Sequence, residues 1–315
     1  MINTIQLYSL FGLYSYQLEL KSGGKPIRFV TGPNGYGKTT ILKLLNCVYG
    51  QNLEGLSDIP FKKMVICFDD GYQLDVEQER IYDDDIESDE HDLLRVIITI
   101  DFSNIVEGLS ERLVWDSENP VLPAISNLRG YLTSHPVYFI KDSRLEGSDD
   151  QRAVVENARK LAVWLKQDAE GRLTGKRDFH NRVETFKKVI DSYQFANKTF
   201  EINAIHGYLF RVASEQTPVL FGPGLTCLSS GEQQILIQAF DILLNAEDES
   251  LVLIDEPELS NHLEWQELFL SNLEKMVCLR QIQCIICTHA PETFRMRFDL
   301  TTDLYEQVNG LTHIV

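Results

Sequence analysis

The chain has 315 residues, 43% of them hydrophobic, and its 47 acidic against 29 basic residues give a formal net charge of −18. That length suits one large domain or two modest ones, and without a long uncharged apolar run or a signal-peptide pattern a cytoplasmic protein with no membrane partner is expected. The charge disfavours a constitutive grip on nucleic acid, although a local basic patch can still bind one.

From the N-terminus, residues 2–20 alternate around Leu7, Leu10, Leu13, Leu18 and Leu20, the pattern of two strands. Phe11, Tyr14 and Tyr16 lie among them, fit either to stack on an adenine or to pack a sheet edge. Ile27, Phe29 and Val30 read as a buried strand that ends at Gly32, Pro33, Asn34, Gly35, Tyr36, Gly37, Lys38, Thr39 and Thr40. This run fits G-x-x-x-x-G-K-[ST], the phosphate-binding loop. Gly32, Gly35 and Gly37 let successive N–H groups converge on one anion. Lys38 is the cation for the β- and γ-phosphates, and Thr39 offers its hydroxyl to Mg²⁺. Ile41, Leu42, Leu44, Leu45 and Val48 follow at helical spacing, so the loop opens a helix whose N-terminal dipole favours phosphate. ATP and Mg²⁺ are therefore the expected cofactors.

Phe61–Phe68 reads as a strand, Gly71 as a turn, Tyr72, Leu74 and Val76 as the return strand, and Arg95–Phe102 as another. The acid-rich stretch from Asp83 to Asp92 reads as a solvated loop rather than a metal site. Residues 104–135 are expected to begin as helix and to break at Pro120, Pro123 and Gly130, ahead of a short strand at Val137–Ile140. Residues 149–195 carry two helical patterns parted by Gly171 and Gly175. Their outer faces are expected to be basic, through Arg152, Arg159, Lys160, Lys166, Arg172, Lys176, Arg177, Arg182, Lys187 and Lys188. Such a hairpin is either a solvated face paired with the acidic loop or a docking surface for a partner or nucleic acid. Strands around Phe200–Ile202 and Tyr208–Ala213 follow. The expected organisation is a nucleotide-binding lobe with a β subdomain over residues 1–148, a helical insertion over 149–198, and a third lobe over 199–315.

Three later segments extend the phosphate loop. Leu228–Gln234 reads L-S-S-G-E-Q-Q, small residues opening a helix and hence a second anion-binding start. Leu251–Glu256 reads L-V-L-I-D-E, a buried strand that delivers Asp255 toward Mg²⁺ and Glu256 toward an attacking water. Ile285–Pro291 ends a strand at His289, whose imidazole can address a γ-phosphate. Cys284 and Cys287 have the spacing of half a zinc site, but they lie within this apolar strand without a matching second pair, so the six cysteines read as reduced thiols.

The order of these motifs resembles ABC-type ATPases, an α/β P-loop fold with a mixed central sheet, an antiparallel β lobe and a helical insertion. More narrowly, Leu228–Gln234, the run from Asp255 to Gln266, and Thr288 to Glu292 are similar to the OLD/RecF-like, AAA-annotated group. The resemblance implies that two subunits sandwich ATP head to tail. Ser229, Ser230, Gly231 and Glu232 of one chain then face the nucleotide of the other, and Ser260 to His262 form the D-loop. It implies catalytic roles for Glu256 and His289, and metal binding by Thr39 and Asp255. No glutamine of the transporter Q-loop can be placed, and Asp142, Ser143 or Arg144 stands at that position. Transporter ATPases have their signature much nearer the phosphate loop than Ser229 is to Lys38, and an SMC-type arm would need sustained heptads, which do not appear. A RecF-like DNA-repair ATPase fits the motifs but not the charge. OLD nucleases continue into a nuclease domain, for which residues 292–315 are too few, so an effector such as a nuclease or toxin is expected to act in trans. Similar stand-alone ATPases serve in antiphage defence, as ATP-dependent dimers.

Overall fold

The computed structural model describes residues 1–20, 25–82, 93–120, 126–141, 147–175, 178–212, 219–221, 228–258 and 263–310. In chain order, β1 (Ile2–Leu10), β2 (Tyr14–Glu19) and β3 (Ile27–Thr31) precede α1 (Lys38–Tyr49) and the short α2 (Leu53–Ser57). Four long strands follow: β4 (Lys63–Phe68), β5 (Tyr72–Tyr82), β6 (Leu93–Asn104) and β7 (Leu109–Asp116). Next come α3 (Ser126–Ser134), β8 (Val137–Ile140), the hairpin helices α4 (Gly147–Ala169) and α5 (Phe179–Ser192), and the strands β9 (Lys198–Asn203), β10 (Gly207–Val212) and β11 (Val219–Phe221). The last third holds α6 (Ser230–Phe240), β12 (Leu251–Asp255), α7 (Leu263–Arg280), β13 (Gln283–Cys287), β14 (Thr301–Asp303) and α8 (Leu304–Gly310).

Parallel and antiparallel pairings are both present, in separate sheets. The central sheet, in the order β14-β3-β13-β12-β8, pairs only in parallel, while β2-β1-β4-β5-β6-β7 and β11-β10-β9 are antiparallel. All five residues of β12 and of β13 are buried, as expected of parallel strands covered on both faces. Alternate side chains then serve two cores. Val252, Ile254, Cys284 and Ile286 join α6, α7 and the hairpin, whereas Leu251, Leu253, Ile285 and Cys287 join α1 and the β lobe. Cys284 and Cys287 thus face opposite sides of the sheet and cannot share a metal.

Two expectations need correction. Residues 109–116 form a strand rather than a helix, because their buried side chains, Leu113 and Trp115, recur with period two. The hairpin helices form as predicted, but Arg182 is not on their outer face. It is buried, and its guanidinium meets Asp248 at 3.0 Å. Lys160, Lys187 and Lys188 pair with Glu156, Asp191 and Glu184 one turn away on their own helices, which offsets the charge at those three positions. Gly207 starts β10 where α4 passes: a Cβ there would sit 1.9 Å from the carbonyl oxygen of Ala158, so only glycine fits. The acid-rich stretch from Asp83 to Asp92, together with Lys176 and Arg177, lies outside the described residues.

Candidate functional site

The predicted site side chains gather at the C-terminal ends of β3, β12 and β13, where ligands of parallel α/β sheets bind. The loop after β3 is pressed against the β1–β2 turn. Gly37 has φ +84°, and a Cβ there would come within 2.6 Å of the Leu10 side chain. The Tyr16 hydroxyl donates to the carbonyl of Tyr36 at 2.7 Å, and the Tyr36 ring stacks on Tyr14 with centroids 5.3 Å apart. Tyr16 is buried and therefore cannot stack on a base, whereas Phe11 is exposed beside the loop.

Lys38 is buried, and its ammonium donates to the carbonyls of Gly32 at 2.8 Å and Pro33 at 3.2 Å. Burial pushes its pKa down, while the charges of Glu256, Asp255 and Glu258 oppose that shift. The neighbouring Thr39 hydroxyl donates to the Asp255 carboxylate at 3.0 Å. A hydroxyl and a buried carboxylate in contact are hard oxygen donors of the kind Mg²⁺ takes. The buried ammonium, held only by loop carbonyls in the bonds it makes here, suits a polyphosphate. The residues present therefore fit both ATP and its metal.

Glu256 follows β12 with φ +44°, an uncommon conformation for a non-glycine residue. Its N–H donates to Cys287 at 2.8 Å, and its carboxylate lies 3.4 Å from His289 Nε2. The Thr288 N–H donates to Val30 at 3.2 Å and Cys287 Sγ donates to the Lys38 carbonyl at 3.3 Å, tying β13 to both ends of the phosphate loop. A cavity of about 730 Å³ opens beside these groups, with Gly32, Pro33, Thr288 and His289 in its wall.

The structure thus brings Lys38, Thr39, Asp255, Glu256 and His289 together. It leaves the Ser229 segment apart: among the described residues no hydrogen bond joins Ser229–Glu232 to the phosphate loop. Ser229 instead caps α6. Its side chain accepts from the Glu232 N–H at 3.3 Å, and the Glu232 carboxylate accepts from the Ser229 N–H at 2.7 Å. Lys198, whose role no sequence pattern marked, donates to both oxygens of Glu232 at 2.7 and 2.8 Å. The expected phosphate donor at Ser229 N–H is therefore already used within the chain, while Ser230 and Gly231 stay at the helix start. Asp142, Ser143, Arg144 and Ser260 to His262 lie outside the described residues.

A family model described as "AAA domain, putative AbiEii toxin, Type IV TA system" matches residues 27–295. No curated protein matches. Among solved structures, the chain is similar to an SMC head bound to the C-winged helix domain of ScpA, at 12% identity and TM-score 0.49 over 93% of this chain and 91% of that one. It is similar also to the SMC head domain from Thermotoga maritima, at 14% identity and TM-score 0.48 over 96% of this chain and 94% of that one.

Proposed function

The chain belongs to this AAA-domain family, and from that premise we propose that it binds ATP with Mg²⁺, hydrolyses it, and acts as a nucleotide-gated dimer controlling an effector in trans. The observation that carries the ATPase reading is the convergence of Lys38, Thr39, Asp255, Glu256 and His289 at one end of the parallel sheet. Bound Mg-ATP supplies the electrophilic phosphorus and a cation that offsets phosphate charge. Lys38 would exchange its bonds to the Gly32 and Pro33 carbonyls for phosphate oxygens. Thr39 and Asp255 would hold the metal. Glu256 would take the proton of the attacking water, and His289 beside it would address the γ-phosphate.

The dependence of the dimer on nucleotide is motivated by charge. Two chains of −18 repel, so a closed pair needs cationic groups and N–H donors at the shared face. Lys38, Mg²⁺ and the N–H groups of Ser230 and Gly231 would supply them. Loss of the terminal phosphate would remove what both subunits hold, and the pair would open. The family's description names a putative toxin of a type IV toxin–antitoxin system, and the role proposed for this chain, beside a nuclease or toxin effector in antiphage defence, goes beyond those words.

The test is Glu256→Gln in the full chain. Wild type should hydrolyse ATP, and the variant should bind it with unchanged affinity while turnover falls by about 100-fold or more. Gel filtration with ATP should show a dimer accumulating in the variant. Wild-type turnover in the variant would place the base elsewhere, and an ATP-loaded variant that stays monomeric would remove the dimer.

A further inference from the structure

We infer that Glu258 is the positioning residue for His289: its carboxylate anchors the backbone of His289 and so sets the ring beside Glu256. The inference rests on the ATPase reading. Glu258 is only 8% exposed, and its Oε1 accepts the His289 N–H at 2.8 Å. Its Oε2 is buried with no hydrogen-bond partner. A buried carboxylate oxygen left unsatisfied is costly, and such a group calls for an explanation. The bond to His289 accounts for Oε1, and the carboxylate is held buried for that bond although Oε2 gains no partner from it.

The ends of β12 and β13 are joined by two such links. The Glu256 N–H donates to Cys287 at 2.8 Å, and two residues along each strand end Glu258 receives the His289 N–H. The positive φ at Glu256 and the buried Pro257 turn the chain so that both glutamates reach the end of β13. Glu256 meets the ring of His289 and Glu258 meets its backbone. The contact between the ring and Glu256, at 3.4 Å, is longer than a normal hydrogen bond and cannot hold the ring by itself. The backbone anchor does that work, and Glu258 need not touch substrate.

Two variants separate this role from a need for charge. Glu258→Gln keeps an acceptor oxygen for the His289 N–H, whereas Glu258→Ala removes it. Without nucleotide, amide exchange at His289 should be about tenfold faster in Glu258→Ala, near wild type in Glu258→Gln, and unchanged at Ile285 and Ile286 in both. With ATP, Glu258→Ala should lower kcat about 10- to 100-fold at unchanged ATP affinity, and Glu258→Gln should restore it to within a few-fold. In a His289→Ala background, Glu258→Ala should add no further loss. Unchanged exchange at His289 in Glu258→Ala would overturn the inference. So would a Gln variant as impaired as Ala, or losses that multiply in the double variant. A wild type without ATPase activity would sink the parent reading instead, and the exchange experiment would still decide the anchor.

Discussion

Two helices in this molecule open after small-residue loops, and they treat their first turns differently. At α1 the residue before the helix is Gly37, with no side-chain cap, no acid in the first turn, and a buried lysine as the first residue. At α6 the cap is Ser229, closed by a reciprocal pair of bonds with Glu232, and that carboxylate is held in turn by Lys198. Both starts carry the positive end of a helix dipole. One leaves its N–H groups to a ligand, and the other answers part of them with its own carboxylate. Glycines and serines before a helix therefore do not by themselves make an anion site. A glutamate at the third helical position takes up the N–H of the cap residue and leaves those of Ser230 and Gly231.

Removing the cation at the first start should give the largest effect. Lys38→Ala deletes the only side-chain charge that the loop itself brings to phosphate. ATP affinity should fall by about 100-fold or more, which is roughly 2.7 kcal/mol, by isothermal titration. Unchanged affinity would erase the contrast between the two helices.

At the second start the effect should fall on stability instead. Glu232 is 4% exposed and bonded to Lys198 and to the Ser229 N–H. Glu232→Ala leaves a largely buried ammonium unpaired and opens the cap, for a loss of about 3 kcal/mol in urea unfolding. ATP binding to the phosphate loop of the isolated chain should not change. Glu232→Gln should lose less, because it keeps an acceptor for the Ser229 N–H.

The same contrast shows what the sequence could and could not tell. The phosphate loop was legible because its residues are contiguous and each has a fixed chemical part. Asp255 and Glu256 were legible because a run of apolar residues announces a buried strand and its end. The Ser229-x-x-Glu232 spacing is legible both as a capping box and as a small-residue helix start, and within one chain the cap is what forms. Lys198 lies 34 positions before its partner, and Arg182 lies 66 before Asp248, so neither pairing leaves a local trace. The strand at 109–116 leaves a weak trace in the sequence, because exposed Val114 stands between buried Leu113 and Trp115 and blurs the alternation.

The smallest expected effect is at the far end of α6. There the helix passes into a π-helical turn, Asp241–Asn245, and Asp241 is half-buried. Burial pushes its pKa up to about 6, against the opposing pull of the Asn245 amide at 2.6 Å and the charge of Lys160. A carboxyl with a raised folded pKa binds more protons folded than unfolded between its two pKa values. Stability is then greatest below the unfolded value near 4, declines as pH rises toward about 6, and stays lower above it. An anion at a helix C-terminus is also opposed by the dipole, which acts in the same direction. Asp241→Asn keeps an acceptor for Asn245 and removes the charge. It should raise the melting temperature by a few degrees at about pH 7.5 and leave it unchanged at about pH 4. If the gain were the same at both pH values, ionisation of Asp241 would not be its cause. The two ends of α6 would then not differ as the structure implies, with the start stabilised by a carboxylate and the end strained by one.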